Sequence, residues 1–130
     1  MTDRQYRSLA RYISTLAVEL GLRDWTFNFH REPCEDSALA MVDTVYGRKI
    51  ANVSVCADFL HQPPETQRNA IVHELIHVHF AQERQAADDG FGLLGHEART
   101  LAADAFRLGH EYGVDGLAEA IAKNYPLWMP

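Results

Sequence analysis

The chain has 130 residues, of which 47% are apolar, and carries a formal net charge of −6 at neutral pH. That length suits one domain built on one modest core. Its twelve Lys and Arg are scattered, so there is no basic stripe to neutralise phosphates, and nucleic acid is not an expected partner.

The N-terminal stretch Met1-Thr2-Asp3-Arg4-Gln5-Tyr6-Arg7 lacks the apolar core of a secretory signal, and no apolar run approaches transmembrane length. A cytoplasmic chain without membrane association is expected. Thr2 and Gln5 have capping-box spacing, and Tyr6, Leu9, Ile13, Leu16, Ala17 and Leu20 recur at helical spacing up to Gly21. The first element therefore reads as a helix. Trp25, Phe27 and Phe29 then alternate with Thr26, Asn28 and His30, the period of a strand.

A polar loop is expected from Arg31 to Ser37. Ala38 to Tyr46 and Lys49 to Ala57 read as the arms of a hairpin turning at Gly47-Arg48. In the second arm Ala51, Val53, Val55 and Ala57 alternate with Asn52, Ser54 and Cys56, as in a strand with one face on a core. Cys34 and Cys56 are the only cysteines and form no CxxC pair, so free thiols are expected. Pro63-Pro64-Glu65-Thr66 marks a helix start. From about Glu65 to Glu83 the pattern is helical and apolar on most sides, which predicts a central, buried helix. Asp88 to Gly95 reads as a loop. A last helix is expected from about His96 to Lys123, with Gly109 and Gly113 as points of weakness, before Pro126 and Pro130.

The chemistry lies in His73-Glu74-Leu75-Ile76-His77. Histidines four apart on a helix project from one face a turn apart, and two neutral imidazoles at that spacing can grip one Zn2+. Glu74, one step round the helix, sits beside the metal and can act as a general base toward a water that the metal has acidified. A buried helix has little use for two histidines and a carboxylate unless something satisfies them.

Four residues could supply a third ligand: Glu83, Glu97, His96 and Glu111. Glu83, six beyond His77, would need a chain-turning glycine where Phe80 stands. Glu111 is followed four residues later by Asp115, on the same helical face. An aspartate there could accept the free N–H of a ligand histidine, as metal-bound imidazoles require. Glu97 has Leu101 at that place. Glu111 is therefore preferred, with Glu97 and His96 as alternatives. Tyr46, His110, Tyr112 and Tyr125 are candidates for stabilising an oxyanion.

With its HExxH helix followed by a Glu111/Asp115 pair in ExxxD spacing, the chain resembles the gluzincins, in a minimal zincin form. More narrowly, it is similar to small HExxH proteins of bacteriophages and their hosts. The similarity rests on Leu20-Gly21-Leu22-Arg23-Asp24-Trp25, Ala51-Asn52-Val53-Ser54-Val55, Pro64-Glu65-Thr66-Gln67-Arg68, the motif itself, and Glu111-Tyr112-Gly113-Val114-Asp115. More distantly it resembles SprT-like proteases, for which Gly95-His96 would supply the ligand. The resemblance implies an α+β zincin-like fold in one domain, residues 1–130. An N-terminal helix, a small three-stranded twisted sheet, the HExxH helix and a C-terminal ligand helix would follow in order. It also implies a zinc metallopeptidase acting on peptide or protein substrates, with His73, His77 and Glu111 on the metal and Glu74 as base. A sheet edge would pair with the substrate, and Lys49 to Ala57 is the candidate edge. The alternative reading is a non-proteolytic zinc protein of a phage structural or interaction role. An endoribonuclease would more naturally carry a basic groove.

Overall fold

The computed structural model describes residues 1–35 and 37–130; Asp36, inside the expected polar loop, lies outside the described residues. The first helix, α1 (Asp3–Glu19), begins in a capping box. The Gln5 backbone N–H donates to the Thr2 hydroxyl at 3.2 Å, and the Thr2 N–H donates to Gln5 Oε1 at 2.8 Å. Its buried face is Leu9, Ile13, Leu16 and Ala17. Gly21, at φ +83°, turns the chain out of the helix in the left-handed region that glycine enters freely.

Three strands follow: β1 (Thr26–Phe29), β2 (Ala40–Thr44) and β3 (Ile50–Val55). Their order is β1-β3-β2, with β1 parallel and β2 antiparallel to β3. Gly47, at φ +68°, makes the turn between β2 and β3. The period-two pattern of the hairpin's second arm holds over β3, where Ala51, Val53 and Val55 are buried and the residues between them are half-buried. It does not hold past the strand: Cys56, expected outward, is buried, and Ala57, expected inward, is exposed where the strand has ended. The edge assignment does not hold. β3 is paired on both sides, so the free edge beside the motif helix belongs to β2. The β2 edge can be read from its bonding. Cys56 N–H donates to the Leu39 carbonyl and Val45 N–H to the Ile50 carbonyl, both at 2.9 Å. Strand alternation then turns the backbone groups of Ala40, Val42 and Thr44 outward.

A short 3-10 turn (Phe59–His61) leads to α2 (Pro64–His79), which carries the motif. Pro64 fills the first helical position, where its missing N–H has no partner to lose. Ile71, Val72, Leu75, Ile76 and Val78 are buried and pack with α1 and β3 in one core. The expected single helix to Glu83 is broken at Phe80. There the backbone N–H reaches back to the His77 carbonyl at 3.1 Å, and the His79 ring bonds the Leu20 carbonyl at the end of α1.

The next helix, α3 (Ala81–Phe91), absorbs half of the expected loop. A Gln85–Asp89 side-chain bond of 3.0 Å and the packing of Phe91 on Phe106 hold its C-terminal turn. The last helix, α4 (His96–Ile121), runs unbroken through Gly109 and Gly113 and ends in a 3-10 turn (Ala122–Asn124). The architecture among the described residues is α+β, four helices with a three-stranded mixed sheet. No helix among them is long and apolar enough to cross a membrane.

The C-terminal tail closes the fold onto α1. Trp128 is buried and its indole N–H donates to the Ser8 hydroxyl at 3.0 Å, while the Tyr12 hydroxyl donates to the Pro126 carbonyl at 2.7 Å. Cys34 and Cys56 are free thiols.

Candidate metal centre

The apolar run of α2 buries one side of the helix, which turns the His73/His77 side toward β2 and α4. The two Nε2 atoms face each other at 3.1 Å. From α4, Glu111 reaches the same gap: Oε1 is 3.3 Å from His77 Nε2 and Oε2 is 3.6 Å from His73 Nε2. His73, Glu74 and His77, with Glu111, Asp115 and His110, form overlapping groups that could hold a metal ion.

Each imidazole is also engaged at its other nitrogen. His73 Nδ1 lies 3.0 Å from Asp115 Oδ1, and His77 Nδ1 lies 3.0 Å from His110 Nε2. An ionised carboxylate can only accept, so this contact places a proton on His73 Nδ1, and the neutral ring of that tautomer has its lone pair on Nε2, toward the gap. Burial holds the His77 imidazole well below its usual pKa, despite the opposing pull of Glu111, and His73, His110 and Arg84 add to the depression. His77 is therefore a neutral ring at neutral pH, the form that ligates metals.

Glu74 stands next to this gap with its side chain 16% exposed. Its Oε2 accepts the outward-turned N–H of Val42 on β2 at 3.0 Å, and its Oε1 lies 3.9 Å from His73 Nε2. Burial pushes its pKa up to about 7; the Val42 hydrogen bond opposes the shift and Glu111 adds to it. A groove flanks Glu74 along the β2 edge. On the His73 side is an open cavity of about 420 Å3 lined by Ala38, Leu39, Ala40, Asn69, Asp115 and Glu119, among others. On the His77 side is one of about 200 Å3 with Val42, Asp43, Thr44, Arg84, Gln85 and Asp88 in its wall.

The other sequence candidates fall elsewhere. His96 and Glu97 open α4, fourteen or more residues before Glu111, or about 20 Å along a helix axis. Glu83 lines a different, apolar cavity with Phe80 and Phe106. Tyr46 and Tyr112 are largely exposed, at 69% and 72%. Neither those two nor Tyr125 lines either part of the groove. His110 turns its Nε2 to His77 rather than to the groove. Three participants were not singled out for these roles: the Val42 N–H, Arg84, and His110 as a partner of His77. The first is set by strand register, and the others depend on how α3 and α4 pack, which leaves no local signal. Compared with protein-family models, curated proteins and solved structures, the chain matches none.

Proposed function

We propose that the chain is a zinc-dependent metallopeptidase with a minimal, gluzincin-like zincin fold. His73, His77 and Glu111 hold the zinc, Asp115 orients His73, and Glu74 is the general base toward a peptide or protein substrate. One observation carries the reading. Two imidazole Nε2 atoms lie 3.1 Å apart and the Glu111 carboxylate reaches both, Oε1 at 3.3 Å from His77 and Oε2 at 3.6 Å from His73. Tetrahedral zinc with bonds of ~2.0–2.1 Å spaces its ligand atoms about 3.3 Å apart. Lone pairs gathered so closely repel unless a proton or a cation lies among them, and a zinc ion bound by a two-histidine, one-carboxylate set keeps a fourth position for water.

Bound there, zinc supplies Lewis acidity, acidifying a water and polarising a carbonyl. The chain does the rest. With Oε2 tied to Val42, Glu74 turns Oε1 to the metal gap, where it takes the proton of the attacking water and passes it to the departing amine. The backbone groups of Ala40 and Thr44, on the same strand edge, are available to pair with an extended peptide lying in the groove. A site with a purely structural metal has no use for a buried carboxylate tied down beside it.

The test uses the purified chain loaded with zinc and an unfolded, carboxymethylated protein as substrate. Glu74→Gln should retain stoichiometric zinc by elemental analysis while cleavage falls by at least ~100-fold. Cleavage undiminished in that variant rules the mechanism out.

A further inference from the structure

His110 is the least expected member of the cluster, and it faces away from the groove. Its Nε2 is 3.0 Å from His77 Nδ1, with the ring centroids 5.0 Å apart. Two aromatic contacts hold the ring in place. Phe106, one turn earlier on α4, stacks on it at 5.8 Å and 18°, and Phe80, at the break between α2 and α3, meets it edge-on at 5.9 Å and 89°. Phe91 of α3 packs on Phe106 in turn. The imidazole is thus wedged between two rings with one nitrogen aimed at His77.

We propose that His110 is a positioning residue for the metal centre, accepting the Nδ1–H of His77 and so fixing that ring's tautomer and angle. The proposal rests on the metallopeptidase reading above. If His77 offers Nε2 to the cation, its single remaining proton sits on Nδ1, and the group 3.0 Å away must accept it. His110 does so with a bare Nε2, which leaves its own proton on Nδ1. The two ligand histidines are then backed differently: His73 by the Asp115 carboxylate, His77 by a neutral ring. Glu74, Glu111 and Asp115 already place three carboxylates around the gap. A neutral acceptor orients His77 without adding a fourth. It also ties the metal to the aromatic packing between α3 and α4, so the seating of those helices sets the angle of a ligand.

The test measures zinc affinity of the full chain by competition with a chromogenic chelator. His110→Phe keeps a ring between Phe80 and Phe106 but cannot accept a hydrogen bond. His110→Gln places an amide oxygen near the position of Nε2. His110→Phe should melt near the wild-type temperature in the metal-free state and bind zinc ~10–100-fold more weakly. His110→Gln should recover most of that loss. Equal affinity in His110→Phe, or no recovery in His110→Gln, overturns the proposal. Should His110→Phe fail to fold, long-range 1H–15N correlation spectra of the zinc-loaded wild type decide instead. A proton on His77 Nδ1 and a bare Nε2 on His110 support the assignment, and a proton on His110 Nε2 refutes it. A wild-type chain that takes up no zinc overturns the metal centre itself, whereas normal wild-type uptake with an indifferent His110→Phe overturns only this role.

Discussion

Glu111 gains its place from its neighbours as much as from its own carboxylate. Asp115, one turn further along α4, is 3.0 Å from His73 Nδ1, so one helical face both approaches the gap and orients a histidine beside it. Glu97 begins the same helix, yet it lies at the far end. The expected contrast is sharp. Glu111→Ala should weaken zinc binding by more than the ~10–100-fold cost of losing an orienting partner, while Glu97→Ala should leave it unchanged. Zinc content and chelator competition on the two purified variants, side by side, measure this; the reverse order would remove Glu111 from the site. Much at this scale was legible in the sequence, because i,i+4 spacing decides what shares a helical face. The motif and the Glu111–Asp115 pair are of that kind. His110 was not legible as a partner of His77. Thirty-three residues separate them, and only the packing of α4 on α2 brings the rings together.

The elements were legible where local chemistry decides them and not where packing does. The capping box starts α1, Pro64 starts α2, and alternation reveals β3. The break at Phe80 has no such marker, since apolar positions continue past it; the helix stops where His79 bonds the end of α1 and Phe80 turns to His110. Strand order was equally hidden. β3 carries the clearest one-sided pattern and proves to be the centre of the sheet, which leaves the outward N–H of Val42 on β2 to hold Glu74. Gly109 and Gly113, expected as points of weakness, sit inside an unbroken α4, as does Gly116. Gly116 is exposed, and a Cβ added there meets nothing within 4 Å. Gly116→Ala should therefore stabilise the chain by up to about 1 kcal/mol, read as a rise of a few degrees in melting temperature with zinc affinity unchanged. A fall in melting temperature would mean that α4 uses flexibility at that point.

At the scale of the whole molecule, the candidate metal gap spans two helices, and α4 brings little to the core they share. α4 is fully buried only at Val114 and Ala118. The gap between the α2 histidines and Glu111 therefore depends on how α4 is anchored beyond its C-terminus. The anchor is the tail. Ala122 is buried, Arg68 of α2 donates to the Tyr125 carbonyl at 3.3 Å, Tyr12 donates to Pro126, and Trp128 packs against Phe59 with centroids 6.2 Å apart. The tail thus ties α4 to α1 and α2 together, and the burden rests on Trp128, which is 3% exposed. Trp128→Ala removes a large buried ring and leaves the Ser8 hydroxyl without its donor, so it should cost ~3–5 kcal/mol. That is a large share of the ~5–15 kcal/mol of a typical domain. Urea unfolding of the metal-free chain measures the loss. If the tail acts as an anchor and contributes nothing else to the site, saturating zinc should restore part of the lost stability, because the ion binds only the folded form. The same zinc should raise the variant's midpoint as much as the wild type's, since Trp128 touches no ligand. A loss below ~1 kcal/mol would show that α4 is seated without the tail. A smaller zinc-induced shift in the variant than in the wild type would show that the tail also sets the geometry of the gap.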